Sequence, residues 1–313
     1  MSEGRVVTQP SGIGRLIENV DRVIKGKTAA VRRAVICLVA RGHLLIEDVP
    51  GVGKTTLASA LARSIGCSFQ RIQFTSDLLP ADLIGVSVYR PETQEFVFKE
   101  GPLFHQLILA DEINRTSPRT QSALLEAMNE GQISVDHHTY PLPEPFMVLA
   151  TQNPREYHGT FPLPESQLDR FLMRISIGYP DADSERAILL SRASPGELEL
   201  VLSAADICRA QAAVEEVRVD PALVGYVLDI VAATRRAPAV ELGASPRAAK
   251  ALYRAAQAAA LVEGCDYVRP DHIKELAVPV LAHRLQLRGE GVTDVEREES
   301  VLAAILEEVR VPL

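Results

Sequence analysis

Hydrophobic and polar positions change their period near residue 180, and the change divides the chain in two. Before it, short apolar runs alternate with helical spacing. HLLIED (His43 to Asp48), FQRIQFT (Phe69 to Thr75), LILAD (Leu107 to Asp111), MVLATQN (Met147 to Asn153) and FLMRI (Phe171 to Ile175) read as buried strands. Two helical segments between Ile13 and Arg41 precede the first of them. Leu57, Ala60 and Leu61 share one helix face, as do Leu124, Leu125 and Met128 in a helix from Ser117 that stops at Gly131. VSVY and EFVF, around Pro91-Glu92-Thr93, predict a hairpin, and QISVDHHTYPLP predicts a second. Strands alternating with helices through Ile177 require a parallel sheet covered on both faces.

After Gly178-Tyr179-Pro180 the spacing predicts helices alone: Asp183–Ala193, Ala204–Val217, Pro221–Thr234, Pro246–Glu263, Pro270–Leu285 and Asp294–Val309. The expected division is an α/β domain over residues 1–180 and an α-helical lid over 181–313. Asp294, Glu296, Glu298 and Glu299 open the last helix, where acids suit the helix dipole, and they read as a solvated face.

The turn after the first strand changes this picture from fold to chemistry. Pro50, Gly51, Val52, Gly53, Lys54, Thr55 and Thr56 form a strand–glycine loop–helix junction, which suits a nucleoside triphosphate. Loop N–H groups would face the phosphates, Lys54 would reach the β- and γ-phosphates, and the Thr55 hydroxyl would ligate Mg²⁺. One position departs from GxxxxGK[ST]: Asp48 stands where the first glycine is expected. Asp111 and Glu112 close the strand LILAD. They read as a Mg²⁺ carboxylate and a general base for water, and so imply ATP hydrolysis; alternatively they cap the following helix.

Three more residues extend the constellation. Asn153 ends a strand and would hold the attacking water or the γ-phosphate, unless it only forms a turn before Pro154. Arg170 lies between a short helix and a strand, placed to act on a neighbouring subunit's nucleotide. Arg247 sits just inside a helix with Ser245 as N-cap and Pro246 at its first position, and would sense phosphate. As isolated residues, both arginines read as surface ion pairs.

Composition narrows the partners. The 313 residues, 47% of them hydrophobic and 24% charged, describe an ordinary globular chain of about two domains. A net charge of −8 disfavours coating nucleic acid. No apolar run spans a bilayer and the N-terminus lacks a signal-peptide core, so the expected location is cytoplasmic. Cys37, Cys67, Cys208 and Cys265 are scattered without a CxxC pair, which predicts buried thiols rather than zinc or disulfides. His137 and His138 fall at a hairpin tip, better placed for a partner than for a metal.

The chain resembles the MoxR-type AAA+ ATPases of the helix-2-insert, chelatase-like clade. The residues that carry the likeness are IEDVPGVGKTTLA, LILADEINRTSPRTQSALLEAMNEGQISV, VLATQNPREYHGTFPLPESQLDRFLMRI and GASPRA. The resemblance implies an αβα P-loop domain followed by a small helical lid. It implies that Lys54 and Thr55 are Walker A, Asp111 and Glu112 Walker B, and Asn153 sensor 1. Arg170 falls on the arginine finger, Arg247 on sensor 2, and Val23, Ile24 and Gly26 on the border of the adenine. The first hairpin matches the helix-2 insertion. Also implied are a homo-oligomeric, hexameric ring, a separate VWA-domain protein as partner, and chaperone-like maturation of client proteins, often by metal-cofactor insertion. Two alternatives stay open: a nucleic-acid motor or transcriptional activator, although a GAFTGA loop is absent, and a nucleotide-gated scaffold with little turnover.

Overall fold

The computed structural model describes residues 12–153, 160–190, 198–289 and 295–312. Helices α1 (Ile13–Asp21) and α2 (Thr28–Val39) lead to strand β1 (Leu44–Glu47), helix α3 (Lys54–Ser64) and strand β2 (Phe69–Gln73). Short helix α4 (Pro80–Ile84) precedes a hairpin of β3 (Gly85–Arg90) and β4 (Glu95–Glu100), then strand β5 (Leu107–Asp111). Helix α5 (Pro118–Glu130) is followed by a second hairpin, β6 (Gln132–Val135) and β7 (His138–Pro141), and by strand β8 (Met147–Gln152). Single-turn helix α6 (Glu165–Leu168) and strand β9 (Met173–Ile175) complete the α/β part. The remainder comprises α7 (Ala182–Leu190), α8 (Ala204–Ala213), α9 (Pro221–Arg236), β10 (Val240–Leu242), α10 (Pro246–Val262), α11 (Pro270–Leu281), β11 (Gln286–Leu287) and α12 (Val295–Glu308).

Five parallel strands form the central sheet in the order β2-β5-β8-β1-β9. Successive side chains on a strand point to opposite faces, and both faces of this sheet are covered. Leu44, Ile46, Leu107, Leu109, Met147 and Leu149 join the core shared with α1, α2, α3 and the C-terminal helices. Leu45, Ile108, Ala110, Val148 and Ala150 join the opposite core with α5. This two-sided burial explains why the strands read as apolar runs. It also brings the C-terminal ends of β1, β5 and β8 to one edge of the sheet, where α/β sheets place ligands.

The C-terminal part is helical as expected, with two corrections. β10 and β11 pair antiparallel, although no strand was expected there. At three and two residues they are too short to show an alternating pattern, and tertiary approach makes the pair. Glu298 is the second correction: it is 6% exposed and accepts from Arg174 at 2.7 Å, so it is no part of a solvated face. Arg174 also meets Glu47 at 3.4 Å, so a buried triad joins β1, β9 and α12. Asp294 and residues 191–193 of the first expected lid helix lie outside the described residues.

Candidate functional site

Gly51 and Gly53 adopt φ values of 85° and 96°, in the left-handed region that favours glycine, and turn the chain from β1 into α3. Lys54 is the first residue of α3, so the helix N-terminus opens onto this loop. Pro50, Gly51, Gly53, Lys54, Thr55 and Thr56 line a cleft of about 390 Å³ together with Arg71, Gln73, Asp111, Glu112 and Asn153. Val52 does not line it; its side chain packs against the core. The Lys54 ammonium donates to the Asp48 carbonyl at 2.6 Å. Burial lowers the Lys54 pKa, while Asp48, Asp111, Glu112 and Glu47 oppose that shift.

Asp48 explains its own departure from the glycine pattern. Its Oδ2 accepts from the Ser176 hydroxyl at 3.0 Å and from the N–H groups of Ile177 and Gly178 at 2.7 and 2.6 Å. Its Oδ1 accepts from Val49 N–H at 2.9 Å. The carboxylate thus staples the start of the phosphate loop to the chain leaving β9. A glycine could make none of these bonds.

Asp111 and Glu112 end β5, and Glu112 sits at φ 58°, unusual for a side chain larger than Asn. Buried Thr151 holds the corner: its hydroxyl donates to Asp111 Oδ1 at 2.6 Å and accepts from Glu112 N–H at 2.9 Å. Arg71 donates to Asp111 Oδ2 from Nη2 at 2.6 Å and from Nε at 3.1 Å. Gln73 donates to Glu112 Oε2 at 2.8 Å, and Arg115 lies 3.1 Å from the same oxygen. Glu112 occupies the N-cap position of the 3-10 turn Ile113–Arg115 but makes no side-chain capping bond, and Ser117 caps α5, so neither acid serves as a helix cap. Sequence reasoning missed Thr151, Arg71 and Gln73. The available signal was a polar residue inside the run MVLATQ and two polar residues alternating around Ile72 in FQRIQF.

The two arginines lie elsewhere, and neither lines the cleft. Arg170 donates to the Leu125 carbonyl of α5 at 2.7 Å and borders a groove of about 290 Å³ with Asn129, Glu126 and Gln167. Arg247 donates to Asn129 at 2.9 Å and lies 3.7 Å from Asp169, with Ser245 capping its helix as expected. Arg284, buried in the single 3-10 turn after α11, locks this corner. It donates to Asp169 Oδ1 at 2.7 Å and to the Phe171 and Leu172 carbonyls at 2.7 and 3.2 Å. The turn bearing Arg170 is therefore fastened to the helical part of the chain.

The two hairpins touch each other. Phe98 stacks on Tyr140 with ring centroids 4.4 Å apart, and the Ser87 hydroxyl donates to Asp136 at 2.6 Å. Tyr89 and Phe96 pair across the first hairpin at 5.2 Å and stay exposed. Asp136 and His137 occupy the tip of the second, both at positive φ, as a two-residue hairpin turn requires. Cys37 is buried, but Cys67, Cys208 and Cys265 are only partly so, because each lies at an element end or a helix rim. Cys265 stands with Glu263 and His272 in a cluster whose ligand atoms lie within 4.8 Å. There Arg32 and Arg269 both pair with Glu263, and Arg269 N–H donates to His272 Nδ1 at 3.1 Å, which makes the cluster an ion-pair node.

A profile for the ATPase family associated with various cellular activities (AAA) matches residues 43–173, and one for the AAA lid domain matches residues 232–305. YeaC of Bacillus subtilis is 49% identical over 96% of this chain and 95% of its own length. The chaperone MoxR1 of Mycobacterium tuberculosis is 42% identical over 95% of this chain and 82% of its own. The protein MoxR of Methylorubrum extorquens is 32% identical over 95% and 94% respectively. A solved structure from Cytophaga hutchinsonii superposes with a TM-score of 0.87 at 38% identity, covering 97% of this chain and 96% of that one.

Proposed function

The chain belongs to the MoxR family of AAA+ ATPases, and from that premise we propose that it hydrolyses Mg²⁺-ATP at interfaces between copies in a hexameric ring. Residues 1–180 are the nucleotide-binding unit and residues 181–313 the lid. Hydrolysis drives chaperone-like maturation of client proteins in the cytoplasm, metal-cofactor insertion among them, together with a VWA-domain partner. The donor set fits the metal: the Thr55 hydroxyl and Asp111 carboxylate are hard oxygen donors opening on one cleft. When bound, Mg²⁺ neutralises charge that develops on the phosphates.

The chain's own residues do the rest. Loop N–H groups and Lys54 bind the β- and γ-phosphates, with Ile24 near the adenine. Glu112 takes the proton of the attacking water, and Asn153 orients that water. Arg170 reaches the γ-phosphate of the neighbouring copy and stabilises its transferring charge, and Arg247 senses the nucleotide and couples its state to the lid. The paired hairpins, with Tyr89 and Phe96 exposed, contact the client. No helix among the described residues is long and apolar enough to cross a membrane.

The observation that carries this reading is the separation of the acid-bearing cleft from both arginines within one copy. Steady-state ATPase activity against protein concentration tests it. Specific activity should rise with concentration and drop about 10³-fold in Arg170→Ala, with ATP binding retained. Normal turnover by that variant would remove the interface mechanism.

A further inference from the structure

Arg71 belongs to no motif described above, yet it makes the closest charged contact in the cleft. Its guanidinium gives two hydrogen bonds to one oxygen of Asp111, while Thr151 takes the other oxygen. Asp111 is mostly buried, its side chain 14% exposed, whereas Arg71 is half exposed, with one further hydrogen bond, to Gln73 at 3.2 Å. Arg71 comes from β2, an edge strand, so its exchange requires no rearrangement of the sheet. A buried carboxylate needs a countercharge, and here a side chain supplies it.

We propose that Arg71 is a displaceable stand-in for the divalent metal: its guanidinium neutralises Asp111 and must be exchanged when metal and nucleotide bind. The inference rests on Asp111 as the metal carboxylate. Charge supports the exchange. The cleft lining carries two cations, Lys54 and Arg71, and two carboxylates, Asp111 and Glu112, and so has no net charge before nucleotide arrives. ATP bound with a divalent ion adds net negative charge, and the released guanidinium remains at the cleft to offset it. Arg71 is thus a positioning residue that sets the metal requirement and keeps Asp111 from being stranded. The competition is one guanidinium–carboxylate pair against metal coordination, so its removal shifts metal binding without abolishing it.

The test reads binding rather than turnover. Mg²⁺ is titrated into Glu112→Gln protein carrying a fluorescent ATP analogue, and Mn²⁺ binding with ADP is followed by electron paramagnetic resonance. Adding Arg71→Ala should lower the half-saturating Mg²⁺ about tenfold, the low end expected for a charged hydrogen-bonded pair. Arg71→Lys, which keeps charge but loses the two-pronged contact, should fall between. A half-saturating concentration unchanged or raised in Arg71→Ala, with melting temperature preserved, overturns the stand-in. If Arg71→Ala fails to fold, Arg71→Lys alone decides by the same shift. Asp111→Asn separates the two levels: metal dependence that survives in this variant sinks the reading of Asp111 itself, independently of Arg71.

Discussion

In the cleft, Arg71 and Gln73 lie on β2, Asp111, Glu112 and Asn153 stand at or one residue past the ends of β5 and β8, and Lys54, Thr55 and Thr56 open α3 after the glycine loop, so the sheet edge and one short loop set their spacing. Lys54, Asp111 and Asn153 follow β1, β5 and β8, which lie side by side in parallel register. The arginine corner is assembled differently. Arg170 hangs on α5 through one carbonyl, Arg247 arrives from α10, and Arg284 from the turn after α11 fastens both through Asp169. Short-range pattern therefore encodes the cleft, and long-range packing encodes the corner. In the proposed mechanism the first carries the acids that act on water and the second the cations that answer the charge. Under the proposed mechanism, a copy holding both, apart, completes its site with a second copy.

Mixing tests that division most severely. Glu112→Gln keeps a sound arginine corner and Arg170→Ala keeps a sound cleft. Each alone should lose about 10³-fold or more in turnover. Mixed subunits should regain activity as a fraction of wild type, because some interfaces pair a wild-type cleft with a wild-type corner. Strictly additive, inactive mixtures would place both functions within one copy and dissolve the comparison.

A smaller effect separates position from chemistry. Arg284→Ala takes the buried guanidinium from Asp169 and from the Phe171 and Leu172 carbonyls, while Arg247 still faces Asp169 and His283 still bonds the Phe171 carbonyl. Because those partners remain, the cost sits at the low end for breaking a buried charged pair, about 3 kcal/mol. Stability should fall by that amount and interface-dependent turnover should weaken, while nucleotide binding by the distant cleft persists. Binding lost in parallel with turnover would show that the two regions are one cooperative unit.

The same contrast explains what could be read from the chain. Strand ends, both hairpins and the glycine loop were legible because each depends on residues close in sequence. Glu298 was misread because an acid at a helix start looks solvated until Arg174, more than a hundred residues away, is seen to meet it. Asp48 looked like an irregularity in a glycine pattern, and its partners at Ser176 to Gly178 lie across the sheet. β10 and β11 are too short for any periodicity. Arg71 and Gln73 did alternate with Ile72, but an edge strand with polar outer positions is ordinary, and only the register with β5 sets them against the two acids.

Acid offers the gentlest way to pull the regions apart, because buried histidines brace the corner and none lines the cleft. His43 bonds the Met128 carbonyl of α5 at 3.0 Å and accepts from Val148 N–H at 3.0 Å. His283 bonds the Phe171 carbonyl at 3.1 Å, beside Arg170. Burial lowers the His43 pKa to about 4 and pushes that of His283 down as well, so both are neutral in the folded chain. The unfolded chain takes up those protons near the ordinary histidine value of about 6.5. Stability from His43 is therefore complete above about pH 6.5, falls as pH drops toward 4, and changes no further below it. By pH 5 the loss should reach about 2 kcal/mol from His43 alone. Denaturant melts from pH 7 to 5 measure it, with His43→Gln, which can keep one donor and one acceptor, as the control. The variant should flatten the pH slope over that window. A slope unchanged by the substitution would mean that acid weakens the molecule somewhere other than the support of the arginine corner.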